Sequence, residues 1–238
     1  MNKKKIFVTA LAVCMVAILS FSTLAWFNAT DTITNQFHVA DSDGDGTPDF
    51  SVDVKEEVTD PDGNPDQGKY TDEGNIYKDI LPGDKLSKIV QVRNTGDYDQ
   101  WLRVNITFSD SAVWQKAIAK AAAAEGDDFD TYVLDYLLVN LFDWACEPEY
   151  VVSYNVFGAD TMTYTFYYGK TVAPNQGVHV MSAVQIPGVL EQEDMNFGTD
   201  GFTITVKAEA VQVENLKATK ASDAFAEVGW EVGTAYGE

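Results

Sequence analysis

The amino-acid sequence predicts an all-β fold of the sandwich type, with one inserted helix and a short helix near its end. Eight or more short apolar segments alternate with turns rich in Gly, Pro and Asp, and this spacing is typical of packed antiparallel sheets. The segment Trp101–Ser109 alternates most clearly, because every second residue from Leu102 to Phe108 is apolar. The segment Ser111–Glu125 instead changes to a helical period.

Composition limits the possible partners. The chain of 238 residues carries 16 Lys and Arg against 37 Asp and Glu, for a net charge of −21. So acidic a surface argues against nucleic acid and against anionic membranes as partners. Hydrophobic residues make up 45% of the chain, which is enough to bury a core and is unlike a disordered acidic tail.

The first 25 residues have the features of a secretory signal peptide. Lys3, Lys4 and Lys5 precede an apolar stretch, Ile6–Phe21, and small residues then lead to Ala25. This order predicts export with cleavage between Ala25 and Trp26; a retained membrane anchor is the alternative. The mature chain would keep 16 − 3 = 13 basic residues, giving a net charge of 13 − 37 = −24. It would retain one cysteine, so no intrachain disulfide could form.

Residues 26–40 are mostly polar and lack a pattern strong enough for a core strand. Their widely spaced apolar positions are Phe27, Ile33, Phe37 and Val39. One interpretation is a frayed terminus or an edge strand of the same domain. The other is an arm that pairs with the sheet of another subunit.

An acidic segment, 41–49, follows directly and predicts a calcium site. Its carboxylates fall at relative positions 1, 3, 5 and 9, with Gly46 at position 6, as in the first part of an EF-hand loop. Val52 stands where such a loop has its bidentate Glu, so an unliganded acidic turn is the alternative. The predicted ligands are Asp41, Asp43, Asp45, Thr47 and Asp49.

The remaining chain, 41–238, is predicted to form a single domain. The turn-rich stretch Asp60–Gly68 indicates a hairpin loop, with a second cation loop as the alternative, and Thr131–Trp144 is ambiguous between helix and strand. Asp127, Asp128 and Asp130 indicate a solvated acidic turn, with cation binding as the alternative. The predicted strands lie at Phe50–Val54, Ile76–Ile80, Leu86–Arg93, Trp101–Ser109, Tyr150–Phe157, Thr161–Tyr168, Val178–Ile186 and Phe202–Val213.

Two helices interrupt these strands. Ser111–Glu125 is rich in Ala and Lys, begins at a residue that can cap a helix, and is followed by Gly126. Ala221–Trp230 is the predicted short helix near the end of the sequence.

Catalytic chemistry is not predicted. A zinc protease needs three protein ligands, usually including two His on one element, but the chain has only His38 and His179 and no His-Glu-x-x-His motif. Cys146 is far from both His in sequence and is interpreted as a small core residue. We therefore do not expect an enzyme.

Several segments resemble the TasA/camelysin family, secreted proteins of Gram-positive bacteria that a signal peptidase of the SipW type processes. Ala25–Phe37 is similar to the cleavage-site region of that family, and three later segments follow in the family's order. These are Leu81–Lys85, Asn94–Gly96 and Ala173–Gly177. Residues 111–160 show no such resemblance.

The resemblance implies a jelly roll, which strand spacing alone does not distinguish from an immunoglobulin-like sandwich. It also implies a subunit of the biofilm matrix that self-associates into fibres, with other matrix components as further partners. An N-terminal donor strand would be the route of assembly. The camelysin branch is described as having metalloprotease activity, which the missing zinc triad argues against here. A monomeric secreted adhesion module with a calcium-stabilised loop is the alternative.

Overall fold

The computed structural model describes residues 51–60, 64–143, 149–153, 160–197 and 201–230. The predicted signal peptide, the arm 26–40 and the acidic segment 41–49 lie outside these residues. The same is therefore true of the following predicted positions: Ala25, Trp26, Phe27, Ile33, Phe37, His38, Val39, Asp41, Asp43, Asp45, Thr47, Asp49 and Cys146.

Two antiparallel sheets dominate the part of the chain that the structure describes. Sheet 1 has the strand order β2-β1-β3-β8-β5 and sheet 2 the order β6-β7-β4-β9. The strands are β1 Val52–Thr59, β2 Pro65–Thr71, β3 Lys85–Asn94, β4 Gln100–Ser109, β5 Leu138–Val139, β6 Glu149–Ser153, β7 Thr161–Tyr167, β8 Gly177–Gln185 and β9 Ile204–Gln212.

Short helical elements connect the strands. Helix α1 spans Ser111–Glu125, and helix α2, Phe129–Tyr132, continues into a π-helical turn at Val133–Leu137. Helix α3 spans Ala221–Glu227. The remaining 3₁₀ turns are Leu141–Asp143 and Gln192–Met195.

Helix α1 occupies the residues whose alanine-rich pattern favours a helix. It ends at Gly126, whose left-handed φ of 87° lets its N–H bond the Ala122 carbonyl. Its Trp114 is buried and packs edge-on against Phe108 of β4, with ring centroids 5.4 Å apart. An aromatic pair of this kind joins the helix to sheet 2.

The inner faces of the two sheets share one hydrophobic core. Val54 and Val92 enter it from sheet 1, and Val104 and Phe166 enter it from sheet 2. The alternation predicted for Trp101–Ser109 is confirmed, because its even-numbered residues are buried in this core. The arrangement is a β-sandwich-like fold with a few helices.

One predicted strand was wrong: Ile76–Ile80 is not a strand, and Ile76 is 76% exposed. The hairpin predicted around Asp60–Gly68 is present, but its second strand, β2, already begins at Pro65, inside the predicted loop. Tyr70 of β2 pairs with Glu57 of β1, and the Gly68 N–H donates to the Glu57 carboxylate at 2.8 Å. Strand β2 is polar on both faces, so it carries no alternating pattern that a sequence could reveal.

Candidate functional site

Three of the four segments quoted above for their resemblance to the TasA/camelysin family lie at the two ends of strand β3. At its start, the Asp84 N–H donates to the Leu81 carbonyl at 3.1 Å, and Gly83 takes the positive φ of 91° that this tight turn requires. The Gly83 N–H also bonds the Ile186 carbonyl beyond β8. This segment therefore sets the register of β3 against β8.

At the other end of β3, the two remaining segments meet. The buried Asn94 donates through Nδ2 to the carbonyls of Tyr98 and Val172, both at 2.8 Å. Its backbone N–H bonds the Gln176 carbonyl, and its carbonyl accepts from Asn175. Residues far apart in sequence thus form one turn-stabilising network, and this network contains no nucleophile or general base.

The remaining candidate residues within the described ranges have structural partners. His179 Nε2 lies 3.0 Å from Ser182 Oγ. Asp128 accepts the Thr131 N–H at 2.9 Å and so caps helix α2. Burial raises the pKa of Asp130, against the effect of the bond from Tyr164. Among the described residues, no three His, Cys, Asp or Glu side chains come together as a metal site.

A separate finding concerns membrane spans. Within the ranges that the structure describes, no helix has both the length and the apolar character needed to cross a bilayer.

Strand β9 forms one edge of sheet 2, and two backbone hydrogen bonds show which of its residues bond to β4. The Val213 N–H donates to the Asp99 carbonyl and the Ser109 N–H to the Thr203 carbonyl. In the observed register, odd-numbered residues of β9 therefore bond β4, because paired and unpaired positions alternate in antiparallel ladders. Backbone groups that point away from β4 belong to Ile204, Val206, Ala208, Ala210 and Gln212.

This outer side of β9 differs in composition from strand β2. Among the described strands, none pairs with the outer side of β9, which is nine residues long. Strand β2, one edge of sheet 1, begins with Pro65 and contains Gly68 and Lys69, which are features that protect an edge from strand addition. Strand β9 is therefore better suited than β2 to receive another strand.

A buried polar cluster at the end of the core was not predicted. Glu56 of β1 and Lys88 of β3 are each 8% exposed, and Lys88 Nζ lies 2.6 Å from Glu56 Oε2. Asn75 Nδ2 donates to Glu56 Oε1 at 2.7 Å, and the Tyr77 hydroxyl lies 3.2 Å from the same oxygen. We call these four residues the Glu56 cluster.

The sequence does contain a signal for this cluster. Glu56 lies on the face of β1 that is buried at Val52 and Val54. Lys88 lies between Leu86 and Val90 on the buried face of β3. Charged residues rarely occupy such positions without a partner. Two inward-facing charges of opposite sign on neighbouring strands therefore indicate a buried pair.

A second buried ion pair lies on the outer face of sheet 2. Arg103 of β4 contacts Glu209 of β9 through two nitrogens, at 2.7 and 2.6 Å. The Arg103 guanidinium also lies 4.8 Å from the ring centre of Phe225 and 4.7 Å from that of Trp230. This arrangement, which we call the Arg103 clamp, holds helix α3 against the sheet through ionic and cation–π contacts.

Comparison of the chain with protein-family models, curated proteins and solved structures found no match. The resemblance to the TasA/camelysin family therefore stays a prediction from the segments quoted above.

Proposed function

We propose that this protein is a secreted structural subunit of an extracellular matrix, which forms fibres when the N-terminal arm of one subunit adds to strand β9 of the next. The observation that carries this proposal is the row of backbone groups on the outer side of β9, unpaired among the described strands. An extended segment that docks there gains main-chain hydrogen bonds whatever its detailed sequence.

The proposed occupant is residues 26–40 of a second copy. These fifteen residues exceed the nine of β9, so the arm is long enough to pair along the whole strand. Four of its apolar residues, Phe27, Ile33, Phe37 and Val39, have odd numbers and would share one face of an extended strand. That face would extend the core side of sheet 2, where Val206, Ala208 and Ala210 are already buried.

This contact is heterologous, because an arm meets a different surface on the neighbouring subunit. Such contacts propagate instead of closing on themselves. Cleavage between Ala25 and Trp26 would free the arm, which would couple assembly to export. The jelly-roll topology belongs to the same proposal and is supported by the crossings of the chain between sheets from β3 to β4, from β7 to β8 and from β8 to β9.

Calcium has a defined place in this proposal. The segment of Asp41, Asp43, Asp45, Thr47 and Asp49 begins where the arm ends. A bound Ca²⁺ would fix the direction in which the arm leaves the domain and so reduce the ordering cost of docking. It would also neutralise acidic charge between subunits whose mature chains each carry 13 − 37 = −24. No turnover of an external substrate is proposed.

A substitution in β9 tests the acceptor edge. In Ala208→Pro, proline removes an N–H that points outward and leaves the bonds to β4 intact. Fibres seen by electron microscopy and light scattering should disappear, while circular dichroism remains that of the folded protein. Lys207→Ala, whose backbone faces β4, is the matched control and should assemble normally.

Deletion of residues 26–37 tests the arm and should leave a folded monomer. Normal fibres from this truncation would refute the arm mechanism, and normal fibres from Ala208→Pro would refute β9 as the acceptor. A protein that stays monomeric under all conditions would favour the alternative, a secreted adhesion module.

A further inference from the structure

Two nitrogen groups share one buried carboxylate in the Glu56 cluster. Lys88 Nζ contacts Glu56 Oε2 at 2.6 Å, and Asn75 Nδ2 contacts Glu56 Oε1 at 2.7 Å. The side chains of Lys88 and Glu56 are each only 10% exposed. An amine, an amide and a carboxylate are therefore held together at a site largely removed from water.

The Asn75 amide is fixed on all sides. Its Oδ1 accepts the backbone N–H of Thr59 at 2.8 Å, and its Nδ2 donates at 2.7 Å to the Glu57 carbonyl as well as to Glu56. An N–H aimed at a carbonyl oxygen stabilises negative charge that develops on that oxygen during nucleophilic attack. The Thr59 N–H is positioned to act as such a donor.

We propose that Lys88 and Asn75 form an intramolecular isopeptide bond, with Glu56 transferring the protons. Glu56 accepts a proton from the Lys88 ammonium, which leaves a neutral amine as the nucleophile. The Nζ lone pair attacks Asn75 Cγ, and negative charge develops on Oδ1 beside the Thr59 N–H. The bond from Cγ to Nδ2 then breaks, and Nδ2 leaves with protons supplied through Glu56.

The reaction balances without any other reagent. An ammonium and a primary amide become a secondary amide and one ammonium ion, so no oxidant, metal or water is consumed. Because both nitrogens already contact Glu56, one carboxylate can serve as base and then as acid. Positioning of this kind replaces a bimolecular encounter with an intramolecular step.

Tyr77 supports the same assignment. Burial and the negative charge of Glu56 both raise the pKa of its hydroxyl, so that group remains a hydrogen-bond donor. Its single proton is shared between the Ser87 carbonyl, which is the nearer acceptor, and Glu56 Oε1 at 3.2 Å. A donor on the carboxylate steadies Glu56 between the two nitrogens without competing as a nucleophile.

The bond would join the segment after β2 to strand β3. It would close a loop across sheet 1 in a chain whose two cysteines are Cys14, in the predicted signal peptide, and Cys146. A covalent cross-link of this kind limits the freedom of the unfolded chain, as a disulfide does. A subunit that bears tension within a fibre would gain resistance to unfolding at this edge.

Peptide mapping by mass spectrometry tests the proposal directly. The full-length protein is folded, incubated at neutral pH, denatured and digested, so that processing at the N-terminus does not affect the result. We expect one branched peptide containing Lys88 and Asn75, lighter than the sum of its parts by one ammonia molecule. Trypsin should fail to cleave after Lys88 and should still cleave after the exposed Lys85 of the same strand.

Variants separate linkage from a purely structural ion pair. Asn75→Ala and Lys88→Ala should each abolish the branched peptide, and Glu56→Gln should slow its appearance at least tenfold. Lys85→Ala should leave it unchanged. Separate, unmodified peptides from folded wild-type protein after prolonged incubation would overturn the proposal, whether or not the variants fold. A link from Lys88 to Glu56, detected as loss of water, would also overturn it.

Discussion

The Glu56 cluster and the Arg103 clamp are both buried ion pairs at 2.6 Å, but their surroundings differ in chemistry. Arg103 is enclosed by the rings of Phe225 and Trp230, and a guanidinium keeps its proton under all ordinary conditions. Lys88 instead meets a carboxylate that also contacts an amide, and an amine can lose its proton and attack. Equal ion-pair distances therefore do not imply equal roles.

The largest effect is expected from the Arg103 clamp. Arg103→Ala should lower the free energy of unfolding by about 3–5 kcal/mol, because buried Glu209 loses both contacts with Arg103 and keeps only Lys207 as a counter-charge, and helix α3 loses the cation–π contact at Phe225. Urea denaturation followed by circular dichroism measures this change. Arg93→Ala removes an exposed arginine from β3 and should alter stability by no more than about 0.5 kcal/mol.

Arg103→Lys sharpens the same comparison. Lysine keeps the positive charge and loses the planar group that stacks between two rings. Stability equal to wild type would show that charge alone holds the clamp, which would contradict the role assigned to the aromatic contacts.

A smaller effect is expected at the Glu56 cluster. Lys88→Met should lower the free energy of unfolding by about 1–3 kcal/mol, since Glu56 keeps donors from Asn75 and Tyr77 and methionine fills most of the space of the lysine stem. Thermal unfolding measures the loss. If wild-type protein carries the isopeptide bond, part of the stability lost in Lys88→Met comes from loss of that bond. Asn75→Ala should lose the same part, because it also lacks the bond.

These two regions also show what the sequence could predict. Strands β4 and β9 carry apolar residues at every second position, strands β3 and β8 are rich in apolar and β-branched residues, and these patterns locate all four. Strand β2 was missed because it is held by pairing with β1 and not by an apolar face. Local patterns place Lys88 and Glu56 at buried positions of their strands, but the pairing of these two residues depends on a strand register that spans 32 residues of sequence.

The candidate site was harder to predict than the fold. The sequence drew attention to the acidic segment 41–49 and to two isolated His, which are recognisable by residue type. Asn75 lies in an irregular segment with no periodicity, and its importance comes only from the donors and acceptors that the fold places around it. Arg103 is one of the polar positions between the apolar residues of β4, yet Phe225 of α3 packs on it, because alternation along one strand cannot show what packs on its outer face.

A third effect depends on pH and isolates the carboxylate of the clamp. Burial raises the pKa of Glu209, but the bond from Lys207 and the charge of Arg103 outweigh it, so the net pKa lies below its ordinary value of 4.5. A carboxylate with a lowered pKa stabilises the folded protein above pH 4.5, and this stability is lost as the pH falls through the pKa of Glu209 in the folded protein. Glu209→Gln should therefore lose less stability than wild type on acidification below pH 4.5.

Asp130 is a control for Glu209, because its pKa is shifted in the opposite direction. Burial raises the pKa of Asp130, and the charge of Asp128 raises it further. The stability that Asp130 contributes is therefore present at low pH and is lost as the pH rises through its pKa in the folded protein. In Asp130→Asn the decline of stability with acidification should be steeper than in wild type. Parallel pH profiles of wild type and Glu209→Gln would contradict the role given to Glu209.

The smallest effect is expected at an exposed ion pair, which measures how much burial matters. Lys120 of α1 lies 2.6 Å from Asp194, the same distance as in the two buried pairs, but the lysine side chain is 39% exposed. The bond from Asp194 raises the pKa of Lys120, and the Asp194 pKa is lowered by its backbone bond at Glu191 and by Lys120. Water and salt screen such a pair, so Lys120→Ala should leave the urea midpoint within error of wild type at high salt. Lys120→Ala could instead prove as unstable as Arg103→Ala. The strength of an ion pair in this protein would then depend on the distance between its charges, and not on its burial or on the groups around it. The contrast between the Glu56 cluster and the Arg103 clamp would then lose its physical basis.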